Sequence, residues 1–510
     1  MTTPVNEPGS TGSGPRPVIP PAILARYGAR VLEHTTAART KSGPPQPTAY
    51  IGSVLLVFGV NGGTGQKVMA ELAQIGQEFG FTPQIEPGGK GEPPSSGDAG
   101  QILERFWPTR VILVLNDSAT PPIDAWPVLQ RLRQKGFGES DVALNHLLTP
   151  EPYWMSMPYW MSMPYWMSMG SEGATMSYAQ PGTGGRTPVA VVAADPALNA
   201  RPAASAPVVV VPDTRLGTHP WFNANVEDQI VASGVRLGID GPLAVPPGPP
   251  SATISGSLPQ YAGHGTFIAG LVRQACPQAK ILGLALMEDD GIAEEALVLK
   301  SLALLVVRHI DAVQRGNAGE VIDVLSLSLG YYHESPADAA TDAVFGGLLA
   351  AFGDWGVAVV AAAGNQSTTA PFFPAAFANP SASSTGRVPL VAVGALNPNG
   401  GTVATFSNAG PWIGLHRLGA NLVSIMPVTL DGATQPASSH TRQGYERATI
   451  DLDDFSGGFA IWSGTSFSAP VAAGEIAALF SQSKAPSGNS QAWIDRGAKV
   501  VQGLLRGEKR

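Results

Sequence analysis

The chain has a single cysteine, Cys276, among 510 residues, so no disulfide can form within it. Charge is sparse as well: Asp, Glu, Lys and Arg make up 14% of the residues, and the net charge of −8 includes no run of lysine or arginine. Phosphate contacts want clustered basic side chains, so no nucleic-acid or anionic-membrane partner is expected, and the acidity reads as a contribution to solubility. No stretch of about 20 uninterrupted apolar residues occurs, which leaves no candidate transmembrane helix. The N-terminus, Met-Thr-Thr-Pro-Val-Asn-Glu-Pro-Gly-Ser, lacks the basic start and apolar core of an export signal. A soluble, cytoplasmic location is expected, with non-classical export left open.

Apolar residues, by contrast, make up 44% of a chain long enough to split into two or three units. Residues 1–48 read as a disordered or weakly structured arm, with a short helical pattern from about Pro21 to Glu33. Residues 49–150 read as a unit of strand (54–58), helix (66–78), strand (110–115), helix (123–135) and strand (142–148). With one further strand, not located, between the first helix and the second strand, the β-α-(β)-β-α-β order suits a small ferredoxin-like α+β sandwich. Gly59-Val-Asn-Gly-Gly-Thr-Gly65 follows a strand and opens a helix as a dinucleotide-binding turn does. Its glycines are not in the G-x-G-x-x-G register, and no acidic residue stands on a second strand about 20 residues on, so no nucleotide is expected. Residues 151–187 read as a linker that writes Pro-Tyr-Trp-Met-Ser-Met three times from Pro152 to Met169. Such identity indicates duplication, and both a surface loop and a segment lying in a binding cleft stay open. The glycine- and serine-rich stretch after the repeats is where self-cleavage is expected to concentrate.

Four strings further along come in a fixed order: Val208-Val-Val-Val-Pro-Asp213, Gly263-His264-Gly-Thr, Ala361-Ala-Ala-Gly-Asn365 and Ser463-Gly-Thr-Ser466-Phe-Ser-Ala-Pro. A serine hydroxyl attacks a carbonyl only if an imidazole takes its proton, and a carboxylate on the far ring N–H fixes the tautomer of that imidazole. The charge that then develops on the carbonyl oxygen needs preplaced donors. Ser466, His264 and Asp213 are the candidate nucleophile, base and orienting acid, and the Asn365 amide and Ser466 N–H the candidate oxyanion donors. The order aspartate, histidine, serine is that of subtilisin. His264-Gly-Thr-Phe-Ile-Ala-Gly and Gly-Thr-Ser466-Phe-Ser-Ala-Pro resemble the histidine and serine motifs of the subtilisin-like serine proteases, and the resemblance runs from about 206 to 482. It implies that Asn365 is the oxyanion asparagine and that Ser328, Leu329, Gly330, Ala362, Ala363 and Gly364 line the substrate cleft. It also implies protein or peptide substrates, hydrolysis through an acyl-enzyme, and an N-terminal propeptide that acts as inhibitor with its C-terminal tail in the cleft.

Residues 188–510 are thus expected to form a subtilisin-like α/β peptidase domain. Apolar runs ending at Asp213, Met287, Leu329, Asn365, Leu396 and Met426 alternate with helical patterns at Ala293 to Gln314 and Pro336 to Trp355. That alternation predicts a doubly wound, mostly parallel sheet with helices on both faces. One departure stands out: Thr214-Arg215 follows Asp213 where the family writes a small residue and then glycine, and glycine is delayed to Gly217. Asp195 and Asp323 are therefore rival carboxylates. A catalytically impaired peptide binder and a serine-carboxyl peptidase remain alternatives. His219, His333, His416 and His440 carry no motif and read as structural. Asp289-Asp290 and Asp451 to Asp454 lack the spacing of a calcium loop and read as solvated loops, so no cofactor is expected, with structural calcium left open.

Overall fold

A computed structural model describes the chain except residues 1–13, 34, 36, 38–42, 87–95, 117–122, 151–185, 192–193, 223–224, 246–257, 381–385, 434, 487–488 and 508–510. The Pro-Tyr-Trp-Met-Ser-Met repeats lie outside the described residues.

The N-terminal unit runs α1 (Pro21–Tyr27), β1 (Ala29–Val31), β2 (Ala49–Phe58), α2 (Gly63–Phe79), β3 (Phe81–Ile85), α3 (Gly97–Phe106), β4 (Pro108–Leu115), α4 (Ala125–Gln134) and β5 (Val142–Leu148). Its antiparallel sheet has the order β5-β2-β4-β3, which is the split β-α-β order of a ferredoxin-like sandwich. The arm differs from expectation. Pro21 opens a helix of only seven residues, Gly28 turns the chain with φ 60°, and β1 then pairs antiparallel with β2. Two further elements carry weak sequence signals: β3 is interrupted by Pro83 and buries only Phe81, and α3 buries Ala99, Leu103 and Phe106 at i, i+4 and i+7.

Valine runs build the centre of the second unit. Its strands are β6 (Val208–Thr214), β7 (Val226–Glu227), β8 (Lys280–Met287), β10 (Val324–Leu327), β12 (Ala358–Ala362), β14 (Val391–Leu396) and β15 (Ile413–Leu418), in the parallel order β15-β14-β12-β10-β6-β8-β7. Alternation along each strand serves two cores. Val208, Val210, Leu325, Leu327, Val359 and Ala361 face α6 (Glu295–Arg315) and α8 (Val344–Asp354). Val209, Val211, Val324, Val360 and Ala362 face α5 (His264–Ala275) and α9 (Thr465–Ser481). A Cβ at Gly474 of α9 would lie 2.5 Å from Ala275 Cβ, so the small residues after Ser466 do let α9 and α5 approach closely. The helical pattern from Pro336 to Trp355 is split into α7 (Pro336–Asp342) and α8 by the extended backbone of Ala343, φ −65° and ψ 132°. The break lays Gly346 and Gly347 against the rings of Phe377 and Phe106. Among the described residues no helix is long and apolar enough to cross a membrane.

From β6 the chain moves toward one edge through β8, and then back to the other side through β10, β12 and β14. The carboxyl ends of β6 and β10 therefore flank the point where strand order reverses, the usual place for a ligand crevice in an open α/β sheet. The N-terminal unit sits against that end. A two-residue strand, β9 (Ala293–Glu294), extends the N-terminal sheet by pairing antiparallel with β5, Ala293 opposite Leu148 and Glu294 opposite Leu147.

Asp323, just before β10, accepts from the Val208 N–H at 2.8 Å and from Arg496 of the C-terminal helix α10 (Ser490–Leu505) at 2.6 Å. Arg496 also stacks over Phe480, 4.3 Å from the ring centroid. Breaking a buried pair strands a charge, so Asp323→Ala is expected to cost about 3–5 kcal/mol. A urea denaturation curve would measure this; a loss below about 1 kcal/mol would mean that the pair does not anchor α10.

Candidate active site

Asp213 is the penultimate residue of β6 and His264 opens α5, both fully buried. His264 Nδ1 lies 2.7 Å from Asp213 Oδ1, which also accepts the Thr214 N–H at 2.7 Å. The unusual Thr214 takes part in the turn: its Oγ1 accepts the Gly265 N–H at 2.9 Å, and farther along the Gly217 N–H donates to Thr266 Oγ1 at 2.8 Å. Gly265 must be glycine, because a Cβ there would fall 2.3 Å from the Thr214 carbonyl oxygen. Arg215 turns away to pair with Asp240. The imidazole is packed edge-on by Tyr261 and Trp462 and tilted against Phe467, with ring centroids 5.3–5.7 Å away.

Asn365 follows β12 and Ser466 lies in the first turn of α9. The Thr465 N–H donates to Asn365 Oδ1 at 2.7 Å, while Thr465 Oγ1 accepts the Gly364 N–H at 3.0 Å. With its oxygen so engaged, the Asn365 amide presents Nδ2 as the free donor, and this buried nitrogen has no hydrogen-bond partner among the described residues. Ser328 Oγ donates to the Ser466 carbonyl at 2.8 Å, fixing the end of β10 to the start of α9. Leu329 and Ala362 turn into the two hydrophobic layers, so they meet the cleft only through their backbone.

The cleft is occupied by the chain itself. Beyond β5, Thr149 and Gly330 exchange two backbone hydrogen bonds, each 2.9 Å, as an antiparallel bridge. Ser466 Oγ then donates to the carbonyl oxygen of Pro150 at 3.2 Å. His264 Nε2 has no hydrogen-bond partner among the described residues, so the serine–imidazole bond is not closed while Pro150 holds the hydroxyl. Pro150 shares a small cavity with Gly330, Asn365 and Phe372. Phe372, in β13 (Phe372–Phe373), fills the space between the two glycine walls: a Cβ would lie 2.6 Å from its ring at Gly330 and 3.0 Å at Gly364.

The rival carboxylates lie elsewhere. Asp195 makes two bonds of 2.8 and 3.0 Å to the buried Arg273, and Asp323 anchors α10 as described. Of the acidic pairs, Asp290 is bound by Arg26 at 3.0 Å and by Tyr27. Sequence reading missed a second cluster of buried ionisable groups where the two units meet. His146 of β5 places Nδ1 2.6 Å from Glu295 and Nε2 2.7 Å from Glu334, and His333 is 3.5 Å from Glu334 and 3.7 Å from Glu139. Burial opposes charge on His146, but the Glu295 and Glu334 carboxylates outweigh it and push its pKa up to about 10. The His333 pKa is raised by Glu334 and Glu139 against the same burial. The available signal was a histidine inside an otherwise apolar strand, Val142-Ala-Leu-Asn-His146-Leu-Leu.

Comparison with known proteins bears on this geometry. The model of the subtilase family (Peptidase_S8) matches residues 205–505. A curated relative, the subtilase-type proteinase RRT12 of Saccharomyces cerevisiae, is 27% identical over 228 residues, 44% of this chain, and the match spans only 37% of that relative's length. Among solved structures, a lanthipeptide protease is 20% identical with a TM-score of 0.39, covering 59% of this chain and 79% of that one. A cold-adapted subtilisin-like serine proteinase is 19% identical with a TM-score of 0.36, covering 58% and 82%. The family match takes in all four motifs and more than half of the sequence, and by it this chain belongs to the subtilase family.

Proposed function

We propose that the chain is a serine endopeptidase that cleaves itself after Pro150 and is then held inactive by its own N-terminal unit. The observation that carries this reading is the Pro150 carbonyl lying 3.2 Å from Ser466 Oγ on a segment strand-paired to Gly330. In the step it supports, Ser466 Oγ bonds to the Pro150 carbonyl carbon and its proton passes to His264 Nε2. Asp213, on Nδ1, holds the tautomer and stabilises the imidazolium. Negative charge on the former carbonyl oxygen is met by Asn365 Nδ2 and the Ser466 N–H. The C–N bond to Glu151 then breaks, the imidazolium gives its proton to the leaving amine, and water releases the acyl-enzyme by the reverse sequence. Protein substrates follow the same course once the tail has left. Self-cleavage is accordingly assigned to the start of the 151–187 segment.

The unbonded His264 Nε2 favours a second reading, a family member that binds peptides without cutting them. A fluorophosphonate probe separates the two, since only an activated serine is labelled.

Incubating the unmutated chain beside Ser466→Ala and mapping every new terminus by mass spectrometry tests the main reading. A new N-terminus at Glu151 is expected in the first and none in the second; cleavage at other sites only, or equal cleavage in both, would overturn it. Asn365→Ala is expected to lower kcat with little change in KM, by about 2.7–4 kcal/mol of barrier, the loss found for the oxyanion asparagine of subtilisin itself. Because Phe372 fills the space beside Pro150, peptides with proline or alanine before the scissile bond should outpace those with phenylalanine. Phe372→Ala should shift that kcat/KM ratio toward phenylalanine by about tenfold or more, since each methylene of pocket fit counts for about 1–3 kcal/mol. An unchanged ratio would place the specificity elsewhere.

A further inference from the structure

We propose that His146, His333 and Glu334 form a binding site for one divalent transition-metal ion, best suited to zinc, that fastens the N-terminal unit to the peptidase unit. One ring nitrogen from each histidine and one oxygen of Glu334 lie within 4.8 Å of one another, and all three residues are buried. His146 Nε2 and Glu334 Oε2 are 2.7 Å apart. Two donors on a tetrahedral zinc are about 3.3 Å apart, from bond lengths of about 2.0–2.2 Å, so this close pair would part by about 0.6 Å and any wider pair would close in around the ion. Two imidazoles and a carboxylate are the donor set that zinc prefers among the common divalent cations, and magnesium or calcium would demand more oxygen ligands.

Two further observations point to a cation. Glu334 Oε1 is buried with no hydrogen-bond partner among the described residues, so half of this carboxylate has been desolvated without compensation. Engaging the ion through both oxygens would satisfy it and bring the donors to four. His146 Nδ1 is already held by Glu295 at 2.6 Å, the outer-shell carboxylate that orients a metal-bound imidazole through its other nitrogen. Tyr331 donates to the remaining oxygen of that same Glu295 at 3.3 Å, so the His146 ring is oriented by the protein around it, whereas the Ser335 N–H donates to His333 Nδ1 at 2.9 Å, a bond that an ion on that nitrogen would replace.

The ligands come from both units: His146 belongs to β5, whereas His333 and Glu334 follow β11 (Tyr331–Tyr332). Bound metal would therefore hold the N-terminal unit in place even where the chain after Pro150 is cut. Metal binding at this seam does not require the proposed activity, because it is measured on Ser466→Ala protein, which lacks the nucleophile.

Full-length Ser466→Ala protein, stripped with chelator and exposed to zinc chloride, is desalted and its metal measured by mass spectrometry. One zinc per chain is expected, together with a raised Tm. Cobalt chloride in place of zinc should give the intense visible absorption of four-coordinate cobalt. His146→Gln and His333→Gln, each added to the same chain, should abolish retention, while His416→Gln should not. Absence of metal from the folded parent chain, weak octahedral cobalt absorption, or zinc retained equally without His146 would each overturn the proposal. The first two readouts need no substitution at the site, so a variant that misfolds leaves the answer intact.

Discussion

The hydrogen bond from the Thr465 N–H to Asn365 Oδ1, 2.7 Å long, is the constraint on which the cleft depends. It ties the end of a central strand to the start of a helix that crosses from the other side of the crevice. It also decides which end of the Asn365 amide is left to donate into the cleft, since the oxygen is consumed and only the nitrogen remains. The neighbouring bonds from Gly364 to Thr465 and from Ser328 to the Ser466 carbonyl brace the same junction. These bonds fasten two loops and a helix terminus to one another, the kind of bracing that the donors of an oxyanion site would require.

Around this junction the sequence was legible where short strings carry their own geometry. Val208 to Val211 declare a strand buried on both faces, and the structure divides them alternately between two cores. Gly263-His264-Gly265 marks a helix start that only a residue without Cβ can bring against Thr214. The ferredoxin-like order was readable although β3 and α3 were not, because Pro83 and the exposed Thr82 and Gln84 leave the edge strand no apolar run. Ala343 separates two helices that share one hydrophobic pattern, and its extended backbone answers to the packing of Gly346 and Gly347 against distant rings, which no local rule contains. The meeting of His146 with Glu295 and Glu334 spans 149 and 188 residues of chain, beyond any periodicity.

The seam between the two units combines opposite kinds of interaction. Phe106 and Leu103 of the N-terminal unit share a single hydrophobic core with α6 and α8. Close by lies a patch of buried charge in which His146, Glu295, Glu334, Glu139 and Arg133 contact one another in pairs. Apolar burial supplies affinity without direction, whereas desolvated ionic groups penalise every register but the one that pairs them. His146 lies on β5 four residues before Pro150, so the register that these pairs enforce is also the one that aims this carbonyl at Ser466.

The backbone pairings of residues 147–149 have a consequence for what the cleft can accept. Glu294 and Ala293 lie along one side of this segment and Gly330 along the other, so whatever enters is flanked by main chain on two sides and must itself be fully extended for several residues. A helix, whose carbonyls and amides are already spoken for internally, has nothing to offer these edges. On the proposed activity, a target would therefore be filtered by local unfolding before any side chain is read, and compact proteins would be cut only at their loosest loops.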